Sequence, residues 1–300
     1  MLLNRKLDFM NLTISQLTKT YSNGVKALDH VDLEIKPGMF GLLGPNGAGK
    51  SSLMRTIATL QAPDSGKIQF GDIDVLNDQM SLRKVLGYLP QEFGVYPNMS
   101  AQDLLDYFAQ LKGISSKEDR KKIIKEVLTL TNLYEVRNKS VSGYSGGMKQ
   151  RFGIAQLLLN NPKLIIVDEP TAGLDPAERH RFLNVLRAIG TNHTVIFSTH
   201  IVDDVRELCH EIAILNGGKI LFRGTPSSGQ EDLQGKIWVR VIQSAEVEDF
   251  YSQYNVLSSN YNQDNTMNIR VYADTQPDST FVQVEPILED VYFYSLKKDQ

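Results

Sequence analysis

Apolar residues along this chain follow two alternating periods, and where the period changes marks its elements. Residues 12 to 43 read as short strands, with a turn at Ser22-Asn23-Gly24 and a break at Pro37-Gly38. They end in the uninterrupted run Met39 to Leu43, the signature of a strand buried on both faces. From Ser51 to Leu60 no breaker occurs and the spacing predicts a helix, followed by Pro63-Asp64-Ser65-Gly66 and a strand from Lys67 to Phe70. Residues 100 to 135 are helical in pattern: Ser100 is placed to cap Ala101 to Leu111, and Lys117 to Thr131 carries Ile123, Ile124, Val127 and Leu128 at helical spacing. Strand Leu86 to Leu89 precedes this insertion. After it come helix Met148 to Leu159, strand Leu164 to Val167, helix Ala177 to Ala188, strand Thr194 to Phe197, helix Ile201 to Leu208, and two strands around Asn216-Gly217-Gly218. Strands that alternate with helices predict an α/β layered domain built on a mainly parallel sheet.

Beyond Gly224 the pattern loosens through Thr225-Pro226-Ser227-Ser228-Gly229, and strands return at Lys236 to Ile242, Met267 to Tyr272 and Phe281 to Glu285. We place a domain boundary there, with residues 1–225 as the large domain and 226–300 as a small C-terminal α+β one. The length of 300 residues suits that division, since single cores stop growing near ~250 residues. Charge divides at the same point. Residues 226–300 hold five Lys and Arg against twelve Asp and Glu, a balance of −7, which leaves +4 of the net −3 in the first 225. Neither part has the long Lys/Arg cluster of a nucleic-acid binder, so no nucleic-acid partner is expected.

At 41% hydrophobic and 22% charged the composition is that of a folded globular chain. No apolar run approaches the ~18 residues of a membrane span, and the first nine residues lack the apolar core of a secretory signal. The single cysteine, Cys209, leaves no internal disulfide and no cysteine-based zinc site. A cytoplasmic chain is expected, with any membrane role exercised through a partner.

The chemistry concentrates in three places. Gly44-Pro45-Asn46-Gly47-Ala48-Gly49-Lys50-Ser51 fits the phosphate-loop pattern, with Ser52 next to it, and lies between a buried strand and a helix as that motif requires. Its glycines let backbone amides turn inward around a polyphosphate, and the helix N-terminus adds positive potential. Lys50 meets the terminal phosphates, and Ser51 offers a hard oxygen to the Mg²⁺ of a nucleoside triphosphate. The second place is the strand Leu164 to Val167, which ends in Asp168 and Glu169, where open α/β sheets place their ligands. Asp168 would hold the Mg²⁺ shell, directly or through water; Glu169 would polarise an attacking water. Read alone, two acids at a strand end also fit a solvated terminus. The third is Tyr144-Ser145-Gly146-Gly147-Met148, a hydroxyl and free amides at a helix start.

With these three in this order, residues 11 to 225 resemble the ATP-binding-cassette family, and Tyr144 to Met148 resembles its signature sequence. The resemblance implies a phosphate-loop NTPase cassette with an antiparallel β subdomain and a helical subdomain, here about residues 92–160. It implies ATP with Mg²⁺ as cofactors and Mg-dependent ATP hydrolysis. It also implies a second cassette subunit, for which we expect a homodimer, whose Ser145, Gly146 and Gly147 close over the first copy's phosphate loop. Gln91 resembles the glutamine that contacts Mg²⁺ or the water, His200 the switch histidine that donates toward the γ-phosphate, and Tyr21 the aromatic residue that stacks on adenine. Gly173-Leu174-Asp175 resembles the D-loop, which touches the opposite cassette. Tyr144 and Met148 stand where the commoner signature has Leu and Gln. The other histidines, at 30, 180, 193 and 210, read as surface or packing residues.

Only 95 residues separate Lys50 from Ser145, so no long coiled-coil arm of the chromosome-protein type fits between them. One cassette per chain sets it apart from translation factors of the family. The resemblance therefore implies a transport ATPase, at the cytoplasmic face of the membrane and peripheral through integral membrane permease subunits. Pro286-Ile287-Leu288-Glu289-Asp290-Val291-Tyr292 resembles the closing motif of drug, polysaccharide and haem exporters with separate membrane subunits. An importer ATPase, and a soluble cassette ATPase that remodels a cytosolic complex, are the alternative readings.

Overall fold

The computed structural model describes residues 10–94, 98–191 and 193–298, so the N-terminal stretch read above for a secretory signal lies outside the described residues. In chain order the elements up to the second glycine-rich motif are β1 (Leu12–Thr20), β2 (Lys26–Ile35), β3 (Gly38–Leu43), α1 (Lys50–Ile57), β4 (Ser65–Phe70), β5 (Ile73–Asp74), α2 (Gln79–Val85), β6 (Leu86–Leu89), α3 (Ala101–Leu111), α4 (Lys117–Leu130) and α5 (Gly146–Leu158). There follow β7 (Leu164–Asp168), α6 (Pro176–Gly190), β8 (Thr194–Thr199), α7 (Val202–Leu208), β9 (Glu211–Asn216) and β10 (Lys219–Gly224). The remainder holds α8 (Pro226–Asp232), β11 (Ile237–Gln243), α9 (Val247–Gln253), β12 (Val256–Tyr261), β13 (Thr266–Tyr272), β14 (Val282–Gln283) and α10 (Leu288–Lys298). Chain contacts divide these into two compact units, one of residues up to 210 with 215–220, the other of 211–214 with 221–300.

The register of the central sheet decides where the chemistry sits. Its order is β10-β9-β3-β8-β7-β6, and the pairs β3 with β8, β8 with β7, and β7 with β6 are parallel. Leu43 stands beside Thr199, Asp168 beside Ser198, and Leu89 beside Val167. Four strand ends therefore open along one edge, and from it emerge the phosphate loop, the acidic pair, the histidine and the glutamine. All five residues of β7 are buried, as a strand covered on both faces demands. A separate antiparallel sheet, β2-β1-β4-β5, is the predicted β subdomain.

Capping fixes the helical insertion, at Ser100 as the sequence predicts and at Ser116 as the structure adds. Ser100 Oγ accepts from Asp103 N and Ser116 Oγ from Asp119 N, so α3 and α4 start where hydroxyls can satisfy the first free amides. No helix among the described residues is long and apolar enough to cross a membrane.

The second unit departs from the sequence reading in three ways. The loosened stretch after Gly224 is not a loop throughout, because Thr225 caps a short helix, α8, with Pro226 in its first turn. The strand read at Phe281 to Glu285 is two residues long: β14 pairs only with Trp238 and Val239, and Phe281 is drawn into the core instead. Strand β12, with Ser258, Ser259 and Asn260 in it, has no clean apolar alternation and was not predicted.

That core gathers Trp238, Ile242, Phe250, Met267, Ile269 and Phe281 on one face of the sheet β12-β13-β11-β14. Helix α10 is locked by an ion pair in which Arg270 donates to Asp290 through Nε at 2.8 Å and Nη2 at 2.6 Å. Asp290 is 0% exposed and also accepts Ile287 N at 2.9 Å. Replacing Asp290 with Ala leaves Arg270 with the Glu285 carbonyl at 3.1 Å but no carboxylate, and the expected loss is about 3–5 kcal/mol from this unit. A lowered melting transition with nucleotide affinity unchanged is the outcome to look for; unaltered melting refutes it.

Candidate functional site

The phosphate loop owes its shape to backbone that side chains would obstruct. Gly47 and Gly49 have φ of 81° and 109°, in the left-handed region, and a Cβ at Gly49 would run into the carbonyl of Ala27. Gly49 is also the N-cap of α1, so the first free amides of that helix face the loop. Lys50 opens the helix, and its side chain is only 3% exposed. Each of its three ammonium protons has an acceptor: Gly44 O at 2.8 Å, Pro45 O at 3.0 Å and Glu169 Oε1 at 2.9 Å.

At the end of β7 the two acids take different directions. Asp168 stays in strand conformation, 3% exposed, with Oδ1 accepting the hydroxyl of Ser198 at 2.5 Å. Glu169 has φ of 46°, unusual for a residue with a Cβ, and its amide is held by both Ser198 O and Ser198 Oγ at 3.1 Å. This turn aims the Glu169 carboxylate at Lys50 on one side and at His200 Nδ1, 3.2 Å away, on the other.

These groups share a cavity of about 530 Å³ lined by Tyr21, Asn46, Lys50, Gln91, Glu169 and His200 among others. It therefore brings together the predicted adenine, phosphate, catalytic and metal residues, with Asp168 buried at the strand end beneath. Tyr21 stands at its edge, its hydroxyl bonded to Ser52 Oγ and Gln61 Oε1, each at 3.0 Å. Ser145, Gly146 and Gly147 do not line it. There, Ser145 Oγ accepts from Met148 N at 3.2 Å and caps α5. Tyr144 is a core residue: its hydroxyl donates to Val136 O at 2.9 Å and its ring meets Phe152 edge-on. One chain thus carries two separate glycine-rich helix starts, at Gly49 and at Ser145.

No group of three or more His, Cys, Asp or Glu side chains forms a metal cage among the described residues. A divalent cation would have to arrive with phosphate oxygens, and the donor set suits that. Asp168 is a buried carboxylate for which no ion pair is found among the described residues, and its charge is felt nearby. The Tyr88 hydroxyl is pushed up to about 12, first by burial and second by Asp168.

Sequence reading missed Ser198, Thr171 and Asp204. Ser198 orients both acids from within an apolar strand, where its only signal is a small polar residue in Val195-Ile196-Phe197-Ser198. Asp204 is 0% exposed and accepts Thr171 Oγ1 and Arg179 Nε, each at 2.6 Å. His193 is buried, as a packing histidine should be, with Nδ1 2.9 Å from Ile189 O and its pKa lowered by desolvation.

Comparison with known proteins bears on this site. The family model described as ABC transporter matches residues 28–172. The ABC transporter ATP-binding protein YxlF of Bacillus subtilis is 37% identical over 214 residues, 71% of this chain and 70% of that protein. The Nod factor export ATP-binding protein I of Rhizobium etli is 35% identical over 227 residues, 75% of this chain and 71% of its own. A probable multidrug ABC transporter ATP-binding protein of Escherichia coli, YbhF, is 29% identical over 94% of this chain, which spans about half, 51%, of that relative. Among solved structures, the cassette MJ0796, dimeric and bound to ADP and Pi in a post-hydrolysis state, superposes with a TM-score of 0.64 at 29% identity, over 71% of this chain and 98% of that one.

Proposed function

This chain belongs to the ABC transporter ATP-binding family, and from that premise we propose that it is the ATP-hydrolysing subunit of an exporter, working as a pair of copies beneath separate membrane subunits. Residues 1–225 are the nucleotide-binding part in this reading and 226–300 an accessory part. The observation that carries it is the cavity in which Lys50, Glu169, His200, Gln91 and Tyr21 converge while the Ser145-Gly146-Gly147 helix start faces elsewhere. A chain whose second anion-binding helix start stands outside its own cavity needs a second copy to complete the site. The dimeric MJ0796 structure and the export relative support the pairing and the direction.

The residues divide the work by their chemistry. Loop amides and Lys50 would grip the phosphates, and Tyr21 would border the base. Mg²⁺, held by Ser51, Asp168 and Gln91, would neutralise charge on the β- and γ-phosphates when bound. Glu169, released from Lys50 by the arriving phosphate, would accept a proton from water, with His200 holding its carboxylate in line. ATP would thus join two copies by supplying contacts to both, and hydrolysis would remove them. On the helical subdomain an open groove of about 580 Å³ between α3 and α4, lined by Asp106, Tyr107, Lys117, Lys121, Tyr134 and others, is the surface we assign to the membrane subunits.

Affinity purification of the full chain from membranes is the test. Co-isolation of integral membrane proteins with several apolar spans, and ATP hydrolysis that requires Mg²⁺, are expected. A chain that hydrolyses ATP but copurifies only with cytosolic proteins favours the remodelling ATPase instead.

A further inference from the structure

At the start of α6 two consecutive residues of opposite charge turn to opposite neighbours. Glu178 faces α5: it pairs with Arg151, the side chains 13% and 6% exposed, and it also accepts Arg181 Nη1 at 2.6 Å. It presses against the glycine of the signature as well, for a Cβ added at Gly147 would lie 2.7 Å from Glu178 Cβ. Arg179 faces α7, where its Nε donates to the wholly buried Asp204 at 2.6 Å. The other oxygen of Asp204 accepts Thr171 Oγ1, also at 2.6 Å.

The sequence positions of these partners give the arrangement its meaning. Thr171 lies two residues after Glu169, and Asp204 four after His200, so Arg179 holds the flank of the predicted hydrolytic site. Arg151 and Gly147 belong to the helix that Ser145 caps, so Glu178 holds the predicted second anion site. Asp175 Oδ1 accepts Glu178 N at 2.9 Å and makes the turn between them a stiff capped helix start. Arg151, Glu178 and Asp204 are buried enough to be weakly screened, while the Arg179 side chain is 30% exposed and reaches in to the buried Asp204. With no side chain at Gly147 to act as a cushion, α5 rides directly on Glu178, and a shift of α6 must move it.

We propose that Glu178 and Arg179 are positioning residues that tie a chain's signature helix to its own switch-histidine helix, so that closure at one nucleotide site sets the helix start offered to the other. The proposal rests on the reading that each nucleotide is shared between two copies. Neither residue touches nucleotide in this scheme. Each acts through a neighbour: Glu178 through Gly147, Arg179 through Asp204 and Thr171.

The test measures ATP hydrolysis against ATP concentration for the purified full chain and for Glu178→Gln, Arg179→Gln and Arg179→Lys. Wild type should respond with a Hill coefficient of about 2, and the two Gln variants with about 1, since coupling between sites is what they lose. Their maximal rates should fall about tenfold, within the range by which coupling residues act. Binding of a fluorescent ATP analogue to the single chain should stay within about twofold, because the phosphate loop is untouched. Arg179→Lys, which keeps a cation beside Asp204, should recover most of the steepness. Gln variants with wild-type steepness overturn the relay, as does a parallel loss of nucleotide affinity and melting temperature, which marks a merely structural pair. If wild type is itself hyperbolic and forms no ATP-dependent dimer, the shared-site reading fails first, and that outcome is distinct from a cooperative wild type with indifferent variants.

Discussion

Glu169→Gln binds ATP at least as tightly as wild type, turns it over about 10²–10⁴ times more slowly, and accumulates as an ATP-bound dimer. The rate loss follows from basicity: an amide in the same place accepts no proton from water. The affinity follows from the resting geometry. Glu169 Oε1 occupies the third proton of Lys50 at 2.9 Å, and the pair is nearly dry, with side-chain exposures of 3% and 11%. A γ-phosphate must take that proton from the carboxylate, and a neutral amide yields it more readily than an ion does. Nothing else in the cavity needs to move, because Gln keeps the shape and the left-handed turn at 169 is set by the amide bonds to Ser198. Size-exclusion chromatography with ATP and Mg²⁺ gives the dimer, and a single-turnover assay the rate. Normal turnover would remove Glu169 from its assigned role, and a monomer that binds ATP would leave the role standing but refute sharing of the site.

The parts of this site that were legible in the sequence are those where local chemistry and position coincide. The phosphate loop declares itself because its glycines answer to backbone angles, as at Gly47 and Gly49, and Lys50 must follow them. Asp168 and Glu169 are visible because a strand buried on both faces tolerates acids only at its end. Ser100 announces its helix because a hydroxyl satisfies a free amide two or three residues on. What the sequence hides is pairing at a distance. Glu178 and Arg179 look like a solvated helix start, Asp204 like one more acid in Asp203-Asp204, and only the packing of α6 between α5 and α7 turns them inward. The second unit was harder for a related reason. Its strand β12 is held by pairing with β13, Ser259 beside Ile269 and Asn260 beside Asn268, rather than by a pattern of its own. Register in such a strand is decided by its neighbour.

Lys50→Ala has the opposite signature to Glu169→Gln: nucleotide binding itself is weakened, and hydrolysis falls because less of the site is filled. In the resting chain the ammonium joins Gly44 O, Pro45 O and Glu169, so it both shapes the loop and balances the carboxylate. A charge-assisted hydrogen bond is worth about 1.5–3 kcal/mol, so losing one to a terminal phosphate weakens ATP about 10- to 150-fold. A further loss should come from Glu169, whose negative charge then faces the phosphates without the ammonium it pairs with at 2.9 Å. The double variant Lys50→Ala/Glu169→Gln separates the two contributions. If repulsion matters, it binds ATP more tightly than Lys50→Ala alone, and the two substitutions are non-additive in the way expected of side chains in direct contact. Titration with a fluorescent ATP analogue reads all four chains on one scale. Equal affinities for Lys50→Ala and wild type would show that the phosphates sit elsewhere; strict additivity would show that Glu169 and Lys50 act on nucleotide independently, and that their ion pair is a contact of the empty chain alone.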